Sequence, residues 1–523
     1  MTGPTTDEAP AAATATAPAA GATAGTPVQP ASFPATLPYR HVDDLFIDGA
    51  WRAASGTGRT AVTNPATEAA WGSVPVASIA DVDLAVAAAR RAFARAGAGA
   101  DGWRGLAPSV RAGYLERLAA EIEKRSTAIS HTNTGENGSP VAETGRAASN
   151  AAAIFRYFAG LAGYLETPDV RPYPDGSAET VVRQDPVGVC ALIAPWNFPI
   201  NLVVAKLAPA LMAGCTVVIK PASPTPLSIR FIADAVAAAG IPAGVVNIIT
   251  GNSAVGDALV RHPGVDKVAF TGSTPVGRRI AAACGELLRP VTLELGGKSS
   301  ALVLPDVDLT AMQQVLIRSC MRNTGQTCYI STRILAPAGR YDELVDMVTA
   351  TIQAAPQGDP MDPDTVFGPA ATRAQRDTVR AYIRSGIAEG ARATTGGDVP
   401  SGFDRGYFVP PTVFADVTPG MRIAREEIFG PVLSILRYDT LDEAIGIANN
   451  TAFGLGGTVF SADADAAFDA AARMDTGSVG LGFFASNHNA PFAGRHDSGL
   501  GAEFGREGLH AYLKPQSVHR RIR

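Results

Sequence analysis

The chain contains 523 residues with a mass of 53.8 kDa, enough for about three structural units with a large buried core. Hydrophobic residues make up 46% and charged residues 18%, which excludes a chain that is disordered throughout. The net charge of -5 provides no general basic field, so we expect no nucleic acid as a partner.

The chain begins with residues 1–40, which are dominated by alanine, threonine and proline and lack the charged and apolar parts of a signal peptide. We predict a disordered tail there. The most sustained apolar run after the tail, 207–219, is too short to cross a bilayer, so we expect no membrane contact. Five cysteines without metal-ligand spacing indicate reduced thiols, a cytoplasmic location and no metal site.

The folded sequence is predicted to begin near Leu45 with a short strand, a turn and a second strand. Apolar residues three and four apart predict helices over 81–96 and 110–124. The Pro-Asp-Gly turn within 171–184 predicts a hairpin that projects from the body. Such an arm often joins subunits.

Five short apolar runs follow between 187 and 297, each separated from the next by a helix-length stretch. Strands that are apolar on both faces are typical of a parallel sheet covered by helices on both sides. The pattern therefore predicts an α/β, doubly wound domain. Polar and glycine residues gather at the strand ends, where a nucleotide binds in such sheets: Pro195, Trp196 and Asn197, then Lys220, then Thr250, and then Thr271, Gly272 and Ser273.

No Gly-x-Gly-x-x-Gly fingerprint follows the first of these strands, so another turn must hold a pyrophosphate. The best candidate is the segment from Phe270 to Gly277, where a strand ends in small residues and Pro275 begins a helix. A simple tight turn is the alternative interpretation.

Two side chains have the context of catalytic groups. Cys328 follows a polar, glycine-containing segment, which is how a nucleophile is presented at the end of an element. The other four cysteines lie in apolar or alanine-rich runs and are predicted to be buried and inert. Glu294 ends an apolar strand before two glycines, and a desolvated carboxylate there can act as a general base. A solvent-facing glutamate is the alternative.

Seven motifs occur in order: PWNFP (195–199), KP (220–221), FTGSTPVG (270–277), LELGGK (293–298), GQTC (325–328), EEIFGPV (426–432) and NNTAFGLGG (449–457). Together they resemble the aldehyde dehydrogenase superfamily over about 45–515, and some motifs are similar to succinate semialdehyde dehydrogenases. Glu294 and Cys328 are 34 residues apart, which is the separation of base and nucleophile in that family.

The resemblance implies oxidation of an aldehyde to a carboxylic acid. Cys328 would attack the aldehyde, the Asn197 amide and the Cys328 backbone N–H would stabilise the oxyanion, and Glu294 would activate water to hydrolyse the thioester. Lys206 and Glu503 resemble a proton-relay pair, although the family's Gly-Arg-Glu-Leu is Gly-Ala-Glu-Phe at 501–504.

The same resemblance implies NADP or NAD as cofactor. Where NAD-preferring members carry a glutamate, this chain has Ser223, which leaves Lys220 free to pair with a 2'-phosphate. The predicted cofactor-binding residues are Trp196, Lys220, Ser223, Gly256, Phe270, Thr271, Gly272, Ser273, Gly296, Glu427 and Phe429.

The resemblance implies a small-molecule aldehyde as substrate, and an aliphatic or aromatic one is favoured because the expected pocket residues are mostly apolar. Arg322, six residues before Cys328, is similar to the arginine that binds the distal carboxylate in succinate semialdehyde dehydrogenases. The second arginine of that clamp is Ala205 here. The predicted substrate residues are Phe198, Leu202, Arg322, Tyr329 and Phe492, whereas His488 is expected in a solvated loop.

The resemblance also implies the architecture: 41–168 with 187–297 as a doubly wound cofactor domain, 298–500 as a second α/β, catalytic domain, and 169–186 with 501–523 as a β oligomerisation arm. A C-terminal strand at 510–518 would extend a neighbour's sheet, so a homodimer or homotetramer is expected. Three alternatives remain: a succinate semialdehyde-type enzyme, a member that transfers the acyl group to coenzyme A, and a catalytically idle structural protein.

Overall fold

The computed structural model describes residues 41–94, 102–397, 399 and 402–522. The predicted tail at 1–40 lies outside the described residues. The strands of the described part form sheets of eight, seven and three strands and two two-stranded sheets.

The helices of the described residues alternate with strands through most of the chain. They are α1 (Ile79–Phe93), α2 (Pro108–Glu123), α3 (Ser126–Asn137), α4 (Val141–Thr144), α5 (Ala147–Ala159), α6 (Ala162–Glu166), α7 (Pro199–Ala213), α8 (Arg230–Ala238), α9 (Ser253–Arg261), α10 (Thr274–Glu286), α11 (Leu309–Cys320), α12 (Tyr341–Ala354), α13 (Arg373–Ala388), α14 (Arg422–Arg425), α15 (Leu441–Asn449), α16 (Ala464–Ala472) and α17 (Gly505–His510).

The strands are named in the same way, in chain order. They are β1 (Asp44–Ile47), β2 (Ala50–Ala53), β3 (Arg59–Thr63), β4 (Ala70–Pro75), β5 (Asp169–Pro172), β6 (Ala178–Pro186), β7 (Val189–Ile193), β8 (Thr216–Lys220), β9 (Val246–Ile248), β10 (Lys267–Thr271), β11 (Val291–Glu294), β12 (Ser300–Val303), β13 (Arg333–Pro337), β14 (Arg392–Thr395), β15 (Thr412–Ala415), β16 (Val432–Tyr438), β17 (Phe453–Gly454), β18 (Gly456–Phe460), β19 (Ser478–Leu481), β20 (Arg495–His496), β21 (Gly499–Leu500) and β22 (Leu513–Arg521).

The first large sheet has the order β2-β1-β9-β8-β7-β10-β11-β21. Its five central strands are parallel and coincide with the five apolar runs of the sequence. Helices cover both faces, and β7 shows the result: Cys190 and Leu192 join one hydrophobic cluster, whereas Val189, Ala191 and Ile193 join the other. The predicted doubly wound sheet is confirmed.

The second large sheet has the order β14-β15-β16-β13-β12-β18-β19. All its neighbouring strands are parallel except β14 and β15. Two separate clusters of buried side chains lie on its two faces. The chain thus has a second α/β layer structure, as predicted. The exact limits of the three domains stay predictions.

The predicted hairpin is formed by β5 and β6, and β22 pairs antiparallel with β6 over nine residue pairs of the same chain. The expected strand at 510–518 begins only at Leu513, because the residues just before it form α17. Within the described residues β22 is an edge strand of this three-stranded sheet.

The two early helices start slightly before the predicted limits for identifiable reasons. The Ser78 hydroxyl accepts from Asp81 N, and the Asp81 carboxylate accepts from Ser78 N, so a capping box begins α1 at Ile79. Pro108 begins α2, where its missing N–H costs nothing.

A buried arginine on the second sheet links β13 to the segment before β12 and to α15. Arg333 on β13 is 2% exposed, and it donates to the carbonyl oxygens of Lys298, Ile447 and Ala448 over 2.9–3.1 Å. Burial lowers the pKa of Arg333 to about 10. The guanidinium therefore provides hydrogen bonds to carbonyl groups just before β12 and near the end of α15. Removal of its own charge from water is the unfavourable part of this arrangement.

Arg333→Met should lower the midpoint of thermal unfolding by at least about 3 °C, since hydrogen bonds to a charged group contribute about 1.5–3 kcal/mol each. Arg437→Met is the matched control, because that arginine is exposed on β16 and faces Asp439 at 3.8 Å. The control should change the midpoint by less than about 1 °C. Equal shifts in the two variants, measured by differential scanning calorimetry, would contradict this role of Arg333.

Candidate active site

The carboxyl ends of the parallel strands bring the predicted polar residues to one edge of the first sheet. Ile193 at the end of β7 pairs with Lys220, and Thr271 at the end of β10 pairs with Glu294 at the end of β11. Trp196 follows β7 in the loop at the same edge. The strand register alone thus places the predicted base beside the predicted cofactor residues.

A cavity of about 190 Å³ lies at this edge. Residues from the first large sheet, from the segment between α11 and β13 that leads into the second sheet, and from the segment before α17 line it. It brings together four predicted catalytic residues and all five predicted substrate residues: Asn197, Glu294, Cys328 and Glu503, with Phe198, Leu202, Arg322, Tyr329 and Phe492.

Cys328 reaches the cavity from a tight loop between α11 and β13. Asn323, Thr324 and Gly325 all adopt the left-handed region, which is unfavourable for the β-branched Thr324. Hydrogen bonds hold the loop: Gly368 N donates to the Thr324 hydroxyl, and the Asn323 amide donates to the Asn197 carbonyl. Burial raises the pKa of the Cys328 thiol, and the nearby Glu427 and Glu294 carboxylates raise it further.

Glu294 is 3% exposed, and neither carboxylate oxygen has a hydrogen-bond partner among the described residues. Burial raises the pKa of Glu294 well above its usual value, and the neighbouring Glu503 adds to the rise. Lys206 opposes it. The solvent-facing alternative is therefore wrong, and the side chain has the environment that a general base requires.

Lys206 does not line the cavity but lies directly behind it. The fully buried ammonium donates to Glu503 Oε1 over 2.6 Å, to the Leu202 carbonyl over 3.3 Å, and to the Thr271 hydroxyl. A buried, hydrogen-bonded ion pair thus stands next to the desolvated Glu294.

Asn197 begins the approach to α7, and its side-chain Nδ2 donates to the Gln326 carbonyl over 3.0 Å. An amide nitrogen carries two N–H groups, so one remains for a ligand in the cavity. Its Oδ1 has no partner among the described residues. The Gln326 contact fixes the amide relative to the loop that carries Cys328.

A second cavity of about 790 Å³ runs along the edge of the first sheet. It is lined by seven predicted cofactor residues: Trp196, Lys220, Gly256, Phe270, Thr271, Gly272 and Ser273. Thr271 lines both cavities, so they meet there. Ser273 precedes α10 without a side-chain cap, which leaves backbone N–H groups of its first turn for an anion.

The other four predicted cofactor residues are not on the wall of this second cavity. The Ser223 hydroxyl donates to the Gly251 carbonyl over 3.1 Å. Glu427 accepts from Gly297 N over 3.0 Å, and a Cβ on Gly296 would lie 2.3 Å from a Glu427 oxygen, so a side chain there would displace this carboxylate.

Burial raises the pKa of Glu427 to about 7. Phe429 lies edge-on to Trp196, with ring centroids 5.3 Å apart, and its backbone adopts a positive φ. The ring contact ties the segment that carries Glu427 to the loop after β7, where the predicted nicotinamide site begins.

The substrate side of the first cavity is largely apolar and aromatic. Tyr329 stacks on Phe484 with centroids 4.6 Å apart and meets Phe492 edge-on at 6.1 Å. Phe198 and Leu202 complete the wall. Ala205, the position of the absent second arginine, packs in the hydrophobic core and does not line the cavity.

Arg322 lies on the cavity wall, but its charge is paired. Its Nε is 3.1 Å from both carboxylate oxygens of Glu143, its Nη2 donates to the same carboxylate, and its Nη1 donates to the Tyr329 hydroxyl. Both members of the ion pair have side chains that are 18% exposed. Sequence reasoning missed Glu143, which lies 179 residues earlier on α4, and no motif indicated it.

Other cavity residues were also missed. Asn150 and Asn201 line the wall, together with the exposed Arg146 and Arg318. His488 lines it as well, from a loop in which it is half-buried between exposed neighbours; burial lowers its pKa, and its ring lies 5.0 Å from that of Phe504. These positions depend on how distant loops fold together.

Two features are absent from the described residues. No group of three or more His, Cys, Asp or Glu side chains there could hold a metal ion. No helix there is long and apolar enough to span a membrane.

Comparison with known proteins gives a consistent result. A model of the aldehyde dehydrogenase family matches residues 51–518. Geranial dehydrogenase from Castellaniella defragrans is 49% identical over 485 residues, which are 92% of this chain and 99% of that protein.

Among solved structures, a mutant of aldehyde dehydrogenase C from Pseudomonas syringae, complexed with NAD+ and octanal, is 39% identical with a TM-score of 0.87. The match covers 92% of this chain and 98% of that one. An aldehyde dehydrogenase from Mycobacterium tuberculosis, complexed with NAD+, is 42% identical with a TM-score of 0.87 and covers 91% and 97%.

The resemblance carried by the seven motifs is thereby confirmed, and so is the predicted class of NAD(P)-dependent oxidoreductase. This chain belongs to the aldehyde dehydrogenase family.

Proposed function

We propose that this enzyme oxidises a neutral, apolar aldehyde to the carboxylic acid, with NAD+ or NADP+ as the hydride acceptor. The observation that carries the proposal is the shared cavity of Cys328, Glu294 and Asn197, which has aromatic walls and meets the long groove at Thr271. A nucleophile, a base and an amide donor around one apolar space suit acyl chemistry on a carbonyl compound.

The long groove fits a dinucleotide. Backbone N–H groups at the start of α10 would hold the pyrophosphate, and Lys220 would face the adenosine ribose. Glu427 would bind the nicotinamide ribose, with Phe429 packing beside it. When bound there, NAD(P)+ supplies the acceptor for the hydride that the oxidised carbon loses.

Cys328 performs the first step as a thiolate that attacks the aldehyde carbon and forms a thiohemiacetal. Because burial raises the pKa of the Cys328 thiol, the proton must pass to a nearby base, and the Glu294 carboxylate lines the same cavity. The free N–H of the Asn197 amide and the Cys328 backbone N–H stabilise the oxyanion. Loss of hydride leaves a thioester on Cys328.

Glu294 performs the second step by taking a proton from water, which attacks the thioester and releases the acid and the thiol. Its raised pKa makes it a stronger base than an exposed glutamate. Lys206 and Glu503 would carry the proton away, since the Lys206 ammonium is hydrogen-bonded to Glu503 and next to Glu294. Retention of a base argues for water rather than coenzyme A as the acceptor of the acyl group.

Two relatives support a neutral, apolar substrate. One is named for geranial, and a solved structure contains octanal. The succinate semialdehyde alternative needs a free cation, whereas Arg322 is engaged by Glu143. The complete set of reactive groups argues against an idle structural protein.

We also propose that the arm formed by β5, β6 and β22 joins subunits into a homodimer or homotetramer, because β22 is an edge strand whose side chains are mostly exposed. We also propose that the enzyme is located in the cytoplasm, because its described cysteines are free thiols.

A panel of hexanal, benzaldehyde, 4-methylpentanal, betaine aldehyde and succinic semialdehyde tests the proposed reaction. With either dinucleotide, the absorbance of the reduced cofactor should rise fastest with the three neutral apolar aldehydes. The rate should increase as the pH rises above neutral, because the reactive forms of Cys328 and Glu294 are deprotonated and burial raises both pKa values. A preference for succinic semialdehyde would refute the proposed substrate class.

Ser223→Glu tests the proposed use of NADP+. A carboxylate there should lower kcat/KM for NADP+ by at least about tenfold, since like charges about 4 Å apart repel by about 4 kcal/mol near a protein surface. The value for NAD+ should change by less than about threefold. Ser223→Gln, which is similar in size but uncharged, is the control. An unchanged ratio of the two kcat/KM values in Ser223→Glu would remove Ser223 from cofactor selection.

A further inference from the structure

The cavity wall contains an arginine whose charge serves no step of the proposed reaction. Arg322 stands between the substrate cavity and a smaller cavity behind it, which is lined by Glu143, Asn133, Ser139 and Asn201 among others. Glu143 lines only the smaller cavity. The carboxylate therefore approaches the guanidinium from behind the substrate wall.

We propose that Glu143 determines substrate charge selectivity by neutralising Arg322, so that the enzyme rejects aldehydes carrying a distal carboxylate and becomes able to bind them once Glu143 loses its charge. This inference rests on the proposed function, because it names the substrate class of the same cavity. Glu143 acts through Arg322 and has no contact with the reacting atoms.

Hydrogen bonding shows how completely Arg322 is engaged. A guanidinium binds a carboxylate best through two parallel N–H groups, and Glu143 takes the edge formed by Nε and Nη2. Nη1 is bound to the Tyr329 hydroxyl, and the guanidinium carbon lies 5.1 Å from the centre of the Phe198 ring. All three guanidinium nitrogens of Arg322 thus have a hydrogen-bond partner.

The net charge of the Arg322–Glu143 pair determines which substrate groups can bind beside it. With Glu143 ionised, Arg322 and Glu143 together carry no net charge in a site that is 18% exposed at each side chain. A substrate carboxylate entering this space would lose its hydration and gain no net counter-charge, which is unfavourable in a desolvated site. A neutral alkyl or aryl group loses little and packs on Phe198, Tyr329 and Phe492.

The exposed arginines at the same cavity do not change this result. Arg146 and Arg318 also line it but are solvent-exposed, so water and salt screen their charges. On the reactive side Glu503 is paired with Lys206, and Glu294 is an acidic group, so neither offers a cation to a substrate carboxylate. Removal of the Glu143 charge leaves Arg322 as the cation that lies within the largely buried substrate wall.

Glu143→Gln is the direct test, because glutamine keeps a carbonyl oxygen that can accept from Arg322 and so preserves the position of Tyr329. The readout is the ratio of kcat/KM for succinic semialdehyde to that for 4-methylpentanal, a neutral aldehyde of the same shape. The ratio should rise by at least about tenfold, mainly through a lower KM for succinic semialdehyde, because the new charge pair acts in binding.

Three further variants separate the mechanism from a general disturbance. Glu143→Asp keeps the charge and should leave the ratio within about threefold of wild type. Glu123→Gln makes the same change at a bidentate pair with Arg156 outside the cavity, and it should leave the ratio unchanged. Adding Arg322→Gln to Glu143→Gln should abolish the gain. If Glu143→Gln does not fold, Glu143→Met carries the same prediction.

Two outcomes overturn the inference alone: a folded Glu143→Gln enzyme that oxidises 4-methylpentanal with an unchanged ratio, or a gain that persists in the double variant. Failure of the wild-type enzyme to oxidise any neutral aldehyde would refute the proposed function instead. A wild-type preference for succinic semialdehyde would refute the neutralisation of Arg322 together with the proposed substrate class.

Discussion

The structure depends on one constraint: the Glu294 carboxylate, which has no hydrogen-bond partner in the described part of the chain, is held in a buried site. Desolvation makes this arrangement costly, and the register of β10 and β11 imposes it by fixing Glu294 opposite Thr271. The same register places the long groove and the substrate cavity on either side of Thr271. Burial of the base is unfavourable, but the register that imposes it also brings the sites of the two half-reactions together at one edge of the sheet.

Charges around this site are balanced in pairs. The Lys206 ammonium is hydrogen-bonded to Glu503 behind Glu294, and Arg322 is bound by Glu143 behind the substrate wall. Each pair leaves little net charge in a low-dielectric interior, where an unpaired ion would be unfavourable. The reactive groups Glu294 and Cys328 are the exception, since neither has a cationic side chain hydrogen-bonded to it among the described residues. Burial therefore raises the pKa of both groups without a hydrogen-bonded cation to offset it.

The sequence predicted the parallel sheet because its strands are apolar on both faces, as the alternation of Cys190 and Val189 between two clusters demonstrates. The residues at the strand ends could be predicted for the same reason, since carboxyl ends of parallel strands share an edge. The resemblance to the family added Asn197, Glu427 and the role of Cys328. The predicted helix limits were less accurate where a capping residue such as Ser78 determines the first residue of the helix.

Contacts between distant segments could not be predicted. Glu143 and Arg322 are 179 residues apart, and Arg322 alone suggested an anion site. His488 was assigned to solvent because its neighbours in sequence are polar, but the fold turns it toward the cavity. The left-handed turn at 323–325 also has no sequence signature beyond Gly325. In each case the residues that determine the position of the side chain or turn lie in another helix, strand or loop.

The most direct test of the central claim, that Glu294 serves the second half of the reaction and Cys328 the first, is a single-turnover experiment on Glu294→Gln. With a neutral aldehyde and NAD(P)+, each site should form one reduced cofactor, more slowly than the wild type because Glu294 also takes the Cys328 proton. It should then stall, with later turnovers slowed by about a hundredfold or more. Mass spectrometry should find the Cys328 peptide heavier by the aldehyde minus two hydrogens. Turnover at the wild-type rate, or reduced cofactor without an adduct on Cys328, would contradict the account.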